Sequence, residues 1–277
     1  MGLHVEVAQK DCDASPTITL QATPDMTLRL AGSHIAHGTQ DIQAAWLTSP
    51  TMRYPHRSLG STMHAGSVTV QLNSGKTAVY ELPISRVFED LSPRLVDLDN
   101  DGKDELVLIE SDALRGSSVV VLGLRAGKLI ELARSPPTGS TFRWLNIVGT
   151  ADFDDNGKMD IAAITTPHIG GTLKLYHYRP PQLVAYASNM DVSNHIMGST
   201  EQQMAVIVQL PQTRPTIIVP DMSLKALHAL RWQANGQWQE LSDVLALPAK
   251  VERLKPVKGG ACALLADQTW RRVMLMQ

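Results

Sequence analysis

The sequence predicts an all-β protein, a five-bladed β-propeller of four-stranded antiparallel blades. Three observations predict it. The apolar runs are short, no long stretch carries apolar residues at helical spacing, and an acidic motif recurs 55 residues apart, at Asp97 and Asp152.

The runs come first. Ser118–Leu124, Lys128–Ala133, Ile161–Thr165, Leu173–Tyr178 and Thr216–Val219 are rich in Val, Ile, Leu and Thr and are bounded by Gly, Pro, Asn or Asp. That is the composition of strands between tight turns. Only Leu241–Leu247 reads as a short helical turn.

The repeat sets the architecture. Arg94–Ile109 matches Gly149–Ile164 residue for residue in pattern, and 277 residues hold close to five units of this size. Degenerate copies lie at Val206–Pro211 with Thr216–Val219, at Val251–Leu265 around Lys258-Gly259-Gly260, and at Gly38–Trp46. In the second unit the four strands are Arg94–Asp97, Glu105–Glu110, Ser118–Leu124 and Lys128–Ala133. A repeated four-stranded antiparallel sheet is a propeller blade. The chain is read as one domain, 1–277, with blades at 27–90, 91–138, 139–192, 193–247 and 248–277. A strand near Thr17–Gln21, within 15–22, is expected to complete the last blade beside Arg271–Leu275, which removes two open edges.

Composition narrows the class. Hydrophobic residues make up 43%, enough for a core. The balance of 25 basic to 27 acidic residues, net −2, argues against a general nucleic-acid binder. No run approaches the ~20 apolar residues of a membrane helix, so no membrane insertion is expected. A monomer is expected. Met1–His4 is neither basic nor apolar, which fits a cytosolic chain or a secreted one after its leader is removed. Cys12 and Cys262 are too few for a disulfide framework or a thiolate zinc site. The last blade brings them near each other, so they form one bridge or remain two thiols.

Two loops carry metal-ligand spacing. The first offers Asp97, Asp99, Asp101, the carbonyl of Lys103, and Glu105; the second offers Asp152, Asp154, Asn156, the carbonyl of Lys158, and Asp160. Alternate residues of a tight loop supply oxygens to a hard cation, the Gly allows the bend, and the last carboxylate closes the shell. Three carboxylates in one turn repel each other without a cation. Two Ca²⁺ sites are therefore expected. The loops are shorter than an EF-hand loop and lie between strands.

These segments resemble the FG-GAP/VCBS repeats of calcium-containing β-propellers, such as integrin α chains and many secreted bacterial proteins. Asn156 replaces an acid, Asp155 stands where Gly is usual, and no Phe-Gly…Gly-Ala-Pro signature is present, so integrin-like ligand binding is not implied. The resemblance does imply a periplasmic or secreted setting, where calcium is plentiful and disulfides persist.

Blade topology puts the acidic loops at one end of the strands. At the other end gather Arg53-Tyr54-Pro55-His56, Arg115, Pro167–Gly171 with His168, Asp221, His34, His37, Arg143-Trp144-Leu145-Asn146 and Asn194-His195. The first blade's loop, Pro50–Gly66, is 17 residues long, and long loops on a rigid scaffold commonly carry function. Nine of the 27 acids lie in the calcium loops; without them the remaining balance is +7. Such a face suits an anionic small molecule or a glycan.

Two functions follow. In the favoured one, His56, His168 and His195, with Asp221, hold a transition metal such as Zn²⁺ or Mn²⁺ that activates water to hydrolyse an anionic ester or phosphoester. Arg53, Arg115 and Arg143 then hold the anion, Tyr54 donates a proton or hydrogen bond, and Trp144, Asn146 and Asn194 complete the substrate site. In the alternative, the face is a non-catalytic binding module for a glycan, peptide or cell-envelope partner. Trp144 serves a sugar as a stacking platform or plugs the channel. His64, His177 and His228 are read as structural, and Trp46, Trp232 and Trp270 as core. There is no Gly-x-Ser-x-Gly elbow and no Gly-Lys-Ser/Thr phosphate loop.

Overall fold

In the computed structural model, residues 2–7, 12 and 28–276 are described, and every named element is a strand. In chain order these are β1 (Gly2–Val7), then β2 (Ala36–His37), β3 (Ile42–Thr51), β4 (His64–Leu72) and β5 (Thr77–Glu81). A connecting strand, β6 (Arg86–Phe88), precedes β7 (Arg94–Val96), β8 (Glu105–Asp112), β9 (Gly116–Arg125) and β10 (Lys128–Arg134). Next come β11 (Leu145–Ala151), β12 (Asp160–Thr165), β13 (Thr172–Arg179) and β14 (Gln182–Met190). They are followed by β15 (Val206–Val208), β16 (Thr216–Pro220), β17 (Ala226–Trp232) and β18 (Trp238–Glu240). The last are β19 (Leu245–Ala246), β20 (Val251–Val257), β21 (Gly260–Leu265) and β22 (Trp270–Met276).

Four-stranded antiparallel pairing recurs along the chain: β2-β3-β4-β5, β7-β8-β9-β10, β11-β12-β13-β14, β15-β16-β17-β18 and β20-β21-β22-β1. β6 bonds to both β4 and β8, and Arg134 bridges to Gln182, so the first three sets join in one 13-stranded sheet.

Burial falls from the inside outward. All of β8 (ELVLIESD) is buried, whereas β5 alternates between exposed and half-buried. A strand covered on both faces reads as a continuous apolar run; one with a solvated face alternates. The period of two divides the cores. Ile161 and Ala163 of β12 pack into the core of the first three sets, while Ala162 and Ile164 pack with Ala205, Ile217 and Val219 of the fourth. Ile218 faces a third core, shared with Leu254, Ala261 and Val273.

Two expectations change. The strand beside β22 is β1, with Gly2 opposite Met276 and Val7 opposite Arg271; residues 17–21 lie outside those described. Leu241–Leu247 is not a helical turn: Leu245 and Ala246 pair with Leu227 and Ala226. Cys12 and Cys262 are joined by a disulfide, packed against Trp270.

Candidate functional site

The site builds from strand ends. β12 begins at Asp160, in the second acidic loop, and ends at Thr165, three residues before His168. At ~3.3 Å per residue the strand separates the acidic loops from the histidines. β11 runs the opposite way, from the residue after Trp144 toward Asp152.

At the histidine end, Glu89 follows β6 and is fully buried. Its Oε1 accepts the Ser58 hydroxyl at 2.5 Å and its Oε2 accepts the Ser111 hydroxyl at 2.5 Å. Ser111 Oγ lies 2.6 Å from Ser117 Oγ. His56 Nδ1 lies 2.7 Å from Glu89 Oε1, close in distance but off the hydrogen-bond axis. The His56 ring stacks on Phe142 at 5.2 Å and meets Tyr54 edge-on at 6.0 Å. Phe142 holds a left-handed backbone, φ 62°, uncommon for a bulky residue, and its N–H donates to Tyr54 Oη at 3.0 Å. Burial, and next the Glu89 charge, push the Tyr54 phenol up to about 12.

Trp144 ties this group to the other histidines. Its indole N–H donates to the Glu89 carbonyl at 3.0 Å, its ring stacks on His168, and it meets His195 in a T-shaped contact with centroids 4.6 Å apart. His168 Nε2 lies 2.8 Å from His195 Nδ1, and His195 Nε2 lies 3.1 Å from the Ser199 carbonyl. A carbonyl only accepts, so His195 Nε2 carries the proton, Nδ1 accepts, and His168 Nε2 donates. Burial lowers His195 to about 3, with His168 adding to the shift, and His168 to about 4, with His56 adding to it. Both rings are neutral at pH 7. The 52–63 loop reaches this group directly: Gly198 N–H donates to the Ser58 carbonyl at 2.8 Å, and a Cβ on Gly60 would stand 2.5 Å from the Gly198 carbonyl.

Several expected substrate residues do other work. The Arg53 guanidinium donates to the Arg86 carbonyl at 2.8 Å and the Leu82 carbonyl at 3.3 Å, closing a loop. Arg115, half-exposed, lies 3.5 Å from Asp112, which also takes Arg86 at 3.3 Å. Arg143 is placed by its backbone: its carbonyl accepts from Ser117 N–H and Thr138 Oγ1. Asn146 and Asn194 are fully buried; Asn146 Nδ2 donates to the Asn194 and Gln202 carbonyls at 3.2 and 2.9 Å. They bind strand ends to each other, out of a substrate's reach. Asp221 accepts Ser223 Oγ at 2.7 Å and the Lys225 and Ala226 amides at 3.1 Å, which makes it a turn residue. His168 and His195 come together as hydrogen-bonded rings, whereas His56 packs against Phe142 and Tyr54 beside Glu89. Among the described residues, side chains whose ligand atoms converge are Asp97–Asp99–Asp101 and Asp154–Asp160–His177.

The two acidic loops share one backbone. Asp97 accepts the Asp101 and Gly102 amides at 3.0 and 2.9 Å; Asp152 accepts those of Asn156 and Gly157 at 3.0 and 2.8 Å. Asn100 and Asp155 both take positive φ, 61° and 63°, which explains how Asp serves where Gly is usual. Asn100 Nδ2 donates to the Gly157 carbonyl at 2.6 Å, so the loops are neighbours. The Lys103 and Lys158 amides donate to Asp101 and Asn156, at 2.9 Å each. Glu105 is fully buried; Oε2 accepts the Leu98 amide at 2.9 Å, while Oε1 has no donor, nor does Asp99 Oδ1. Burial, together with the charges of Asp99, Asp101 and Asp97, raises the Glu105 carboxyl to about 7. Buried acceptors facing like charges fit a hard divalent cation.

Sequence reasoning missed Glu89, Ser58, Phe142 and His177. Glu89 had a signal: Arg86-Val-Phe-Glu-Asp90 sets two acids at the end of an apolar run.

Residues 97–163 match the family described as FG-GAP-like repeat. The match spans both acidic loops and the strands between them. No curated protein matches the chain. Among solved structures, the crystal structure of the rhamnogalacturonan lyase YesW aligns at 14% identity and a TM-score of 0.41, over 74% of this chain and 49% of that one. This chain thus spans about half the length of that protein.

Proposed function

We propose that the chain is a five-bladed β-propeller, closed by β1 on β22, whose histidine end hydrolyses an ester bond by acid–base catalysis. The observation that carries the chemistry is the buried Glu89 carboxylate 2.7 Å behind His56 Nδ1. A carboxylate there balances the charge the imidazole gains, while Phe142 and Tyr54 hold the ring, leaving Nε2 as base. His56 takes a proton from water, the resulting hydroxide attacks the carbonyl, and the proton passes to the leaving alkoxide. His168 and His195 spend their facing nitrogens on each other, so this reading uses protons where the sequence reading used a metal-bound water. Arg115 and Arg86 share Asp112, Arg86 also meets Glu110, and Arg53 is held by carbonyls, so of the expected arginines Arg143 is left for a substrate anion. Phosphoesters are the less favoured class.

The first acidic loop is assigned to calcium, held by Asp97, Asp99, Asp101, the Lys103 carbonyl and Glu105, as a structural pin. The disulfide supports a periplasmic or secreted setting.

A second reading has its own observation. Met52, Leu114, Phe142, Ile169 and Met197, all in loops at the histidine end, are exposed apolar side chains. Such a collar also suits a binding module for a peptide or glycan partner.

The test is a panel of carboxyl esters and phosphoesters with the wild type, His56→Ala and Glu89→Gln. Hydrolysis that falls roughly 10²–10⁴-fold in both variants, with the fold kept by circular dichroism, supports the enzyme. No turnover by the wild type on any ester, with retention on a peptide or glycan array, replaces it by the binding module.

A further inference from the structure

The two acidic loops share a backbone but differ at one corner. One step beyond the Leu106–Leu122 pair stand Glu105 and Gly123; one step beyond the Ile161–Tyr176 pair stand Asp160 and His177. The bulge of the next strand holds Leu132 in the first repeat and Tyr186 in the second. A Cβ at Gly123 would lie 2.4 Å from the Leu132 side chain, so the first loop has no room for a further ligand there. The second loop has an imidazole instead. His177 stacks on Tyr186 with centroids 4.0 Å apart and planes 18° apart. His177 Nε2 lies 3.0 Å from Asp154 Oδ2 and 3.8 Å from Asp160 Oδ1. Tyr186 Oη donates to Asp160 Oδ2 at 2.7 Å.

Two separate observations point to a ligand. Asp154 Oδ1 is buried and has no donor. A cavity of about 380 Å³ opens on Asp160 and His177, with Lys158 and Arg179 in its wall.

We propose that Asp154, Asp160 and His177 bind a zinc-class divalent cation, in place of the calcium that the spacing alone assigns to this loop. Calcium takes six to eight oxygens, whereas zinc is satisfied by three protein ligands of mixed imidazole and carboxylate type plus one outer ligand. Asn156, where the first loop has Asp101, removes one charge that calcium favours. Tyr186 acts on both neighbours, by a hydrogen bond to one carboxylate and by a stack on the imidazole, which fixes ligand orientation from outside the metal's shell. The cavity supplies the fourth position, and its Lys158 and Arg179 suit water or a small anion there.

The experiment uses the full chain saturated with Ca²⁺, titrated with Zn²⁺ by calorimetry and with Co²⁺ by visible absorption. One Co²⁺ per chain with d–d bands, displaced by Zn²⁺ and not by further Ca²⁺, is expected. His177→Gln and Asp154→Asn should each weaken Zn²⁺ by roughly 10–100-fold or more, while His168→Ala leaves it unchanged. Calcium binding to the first loop, read in the same calorimeter, reports that each variant is folded. The proposal is overturned if Zn²⁺ does not bind, if its affinity ignores His177→Gln, or if His168→Ala removes it. Absence of binding makes His177 a built-in partner for the two acids.

Discussion

His168 Nε2 donates to His195 Nδ1 at 2.8 Å, across 27 residues of chain, and the pair lies against the Trp144 ring. Two imidazoles can share one hydrogen bond in this way only while the acceptor is unprotonated. The pair is therefore a pH-sensitive part of the fold.

The sign follows from the shifts. Both histidines are depressed, to about 4 and about 3, so the unfolded chain binds protons that the folded chain refuses. Their contribution is full above the unfolded value of ~6.5 and is lost as pH falls toward the folded values. Urea unfolding at pH 7.5, 6, 5 and 4.5 should show stability falling with pH, with a shallower fall in His168→Ala. An equal slope in the variant would remove the pair from the account.

Asn146 and Arg115 should separate sharply. Asn146→Ala takes the donor from two buried carbonyls, at Asn194 and Gln202, and should cost about 1–3 kcal/mol. Arg115→Ala breaks a half-exposed pair at 3.5 Å and should stay within about 0.5 kcal/mol. Denaturant midpoints at constant slope measure both.

Calcium should raise Tm, and more in mild alkali than in acid. Glu105, raised to about 7, is a carboxylate above that pH and a neutral acid below it. Without an ion, the carboxylate form faces Asp97, Asp99 and Asp101, so the apo protein loses stability as pH rises through 7. The calcium-dependent gain in Tm at pH 8 should exceed that at pH 5.5 and should vanish in Glu105→Ala. A gain indifferent to both pH and this substitution contradicts the assignment.

The Cys12–Cys262 bridge closes 250 residues of chain. In the chain-entropy model such a loop contributes about 5 kcal/mol. A Cys12→Ser/Cys262→Ser variant should unfold at clearly lower denaturant than the oxidised wild type, and a reductant should shift the wild type alone.

Some features were legible because they are local. Ligands at alternate positions of Asp97–Glu105 and the return of that pattern at Asp152 are one-dimensional facts, and so are short β-branched runs between turn residues. Histidines at matching strand ends were also readable, since alternating strand direction fixes which loops share an end. The partners were not readable. Arg53 looks free in sequence, yet the carbonyls it serves belong to residues 82 and 86. Glu89 lies 33 residues from the His56 it backs, and nothing in either neighbourhood announces the other.

The closing strand shows the same division. Gly2–Val7 and Thr17–Gln21 have comparable local patterns, and pairing with β22 falls to the first. The sequence alone determined strand content, the repeat and the spacing of oxygen ligands, because each depends on residues a few positions apart. Tertiary structure alone decided which charges are matched, which histidines touch, and that His177 rather than Gly123 stands over an acidic loop. Those outcomes depend on distances between residues tens of positions apart, which only the folded chain sets.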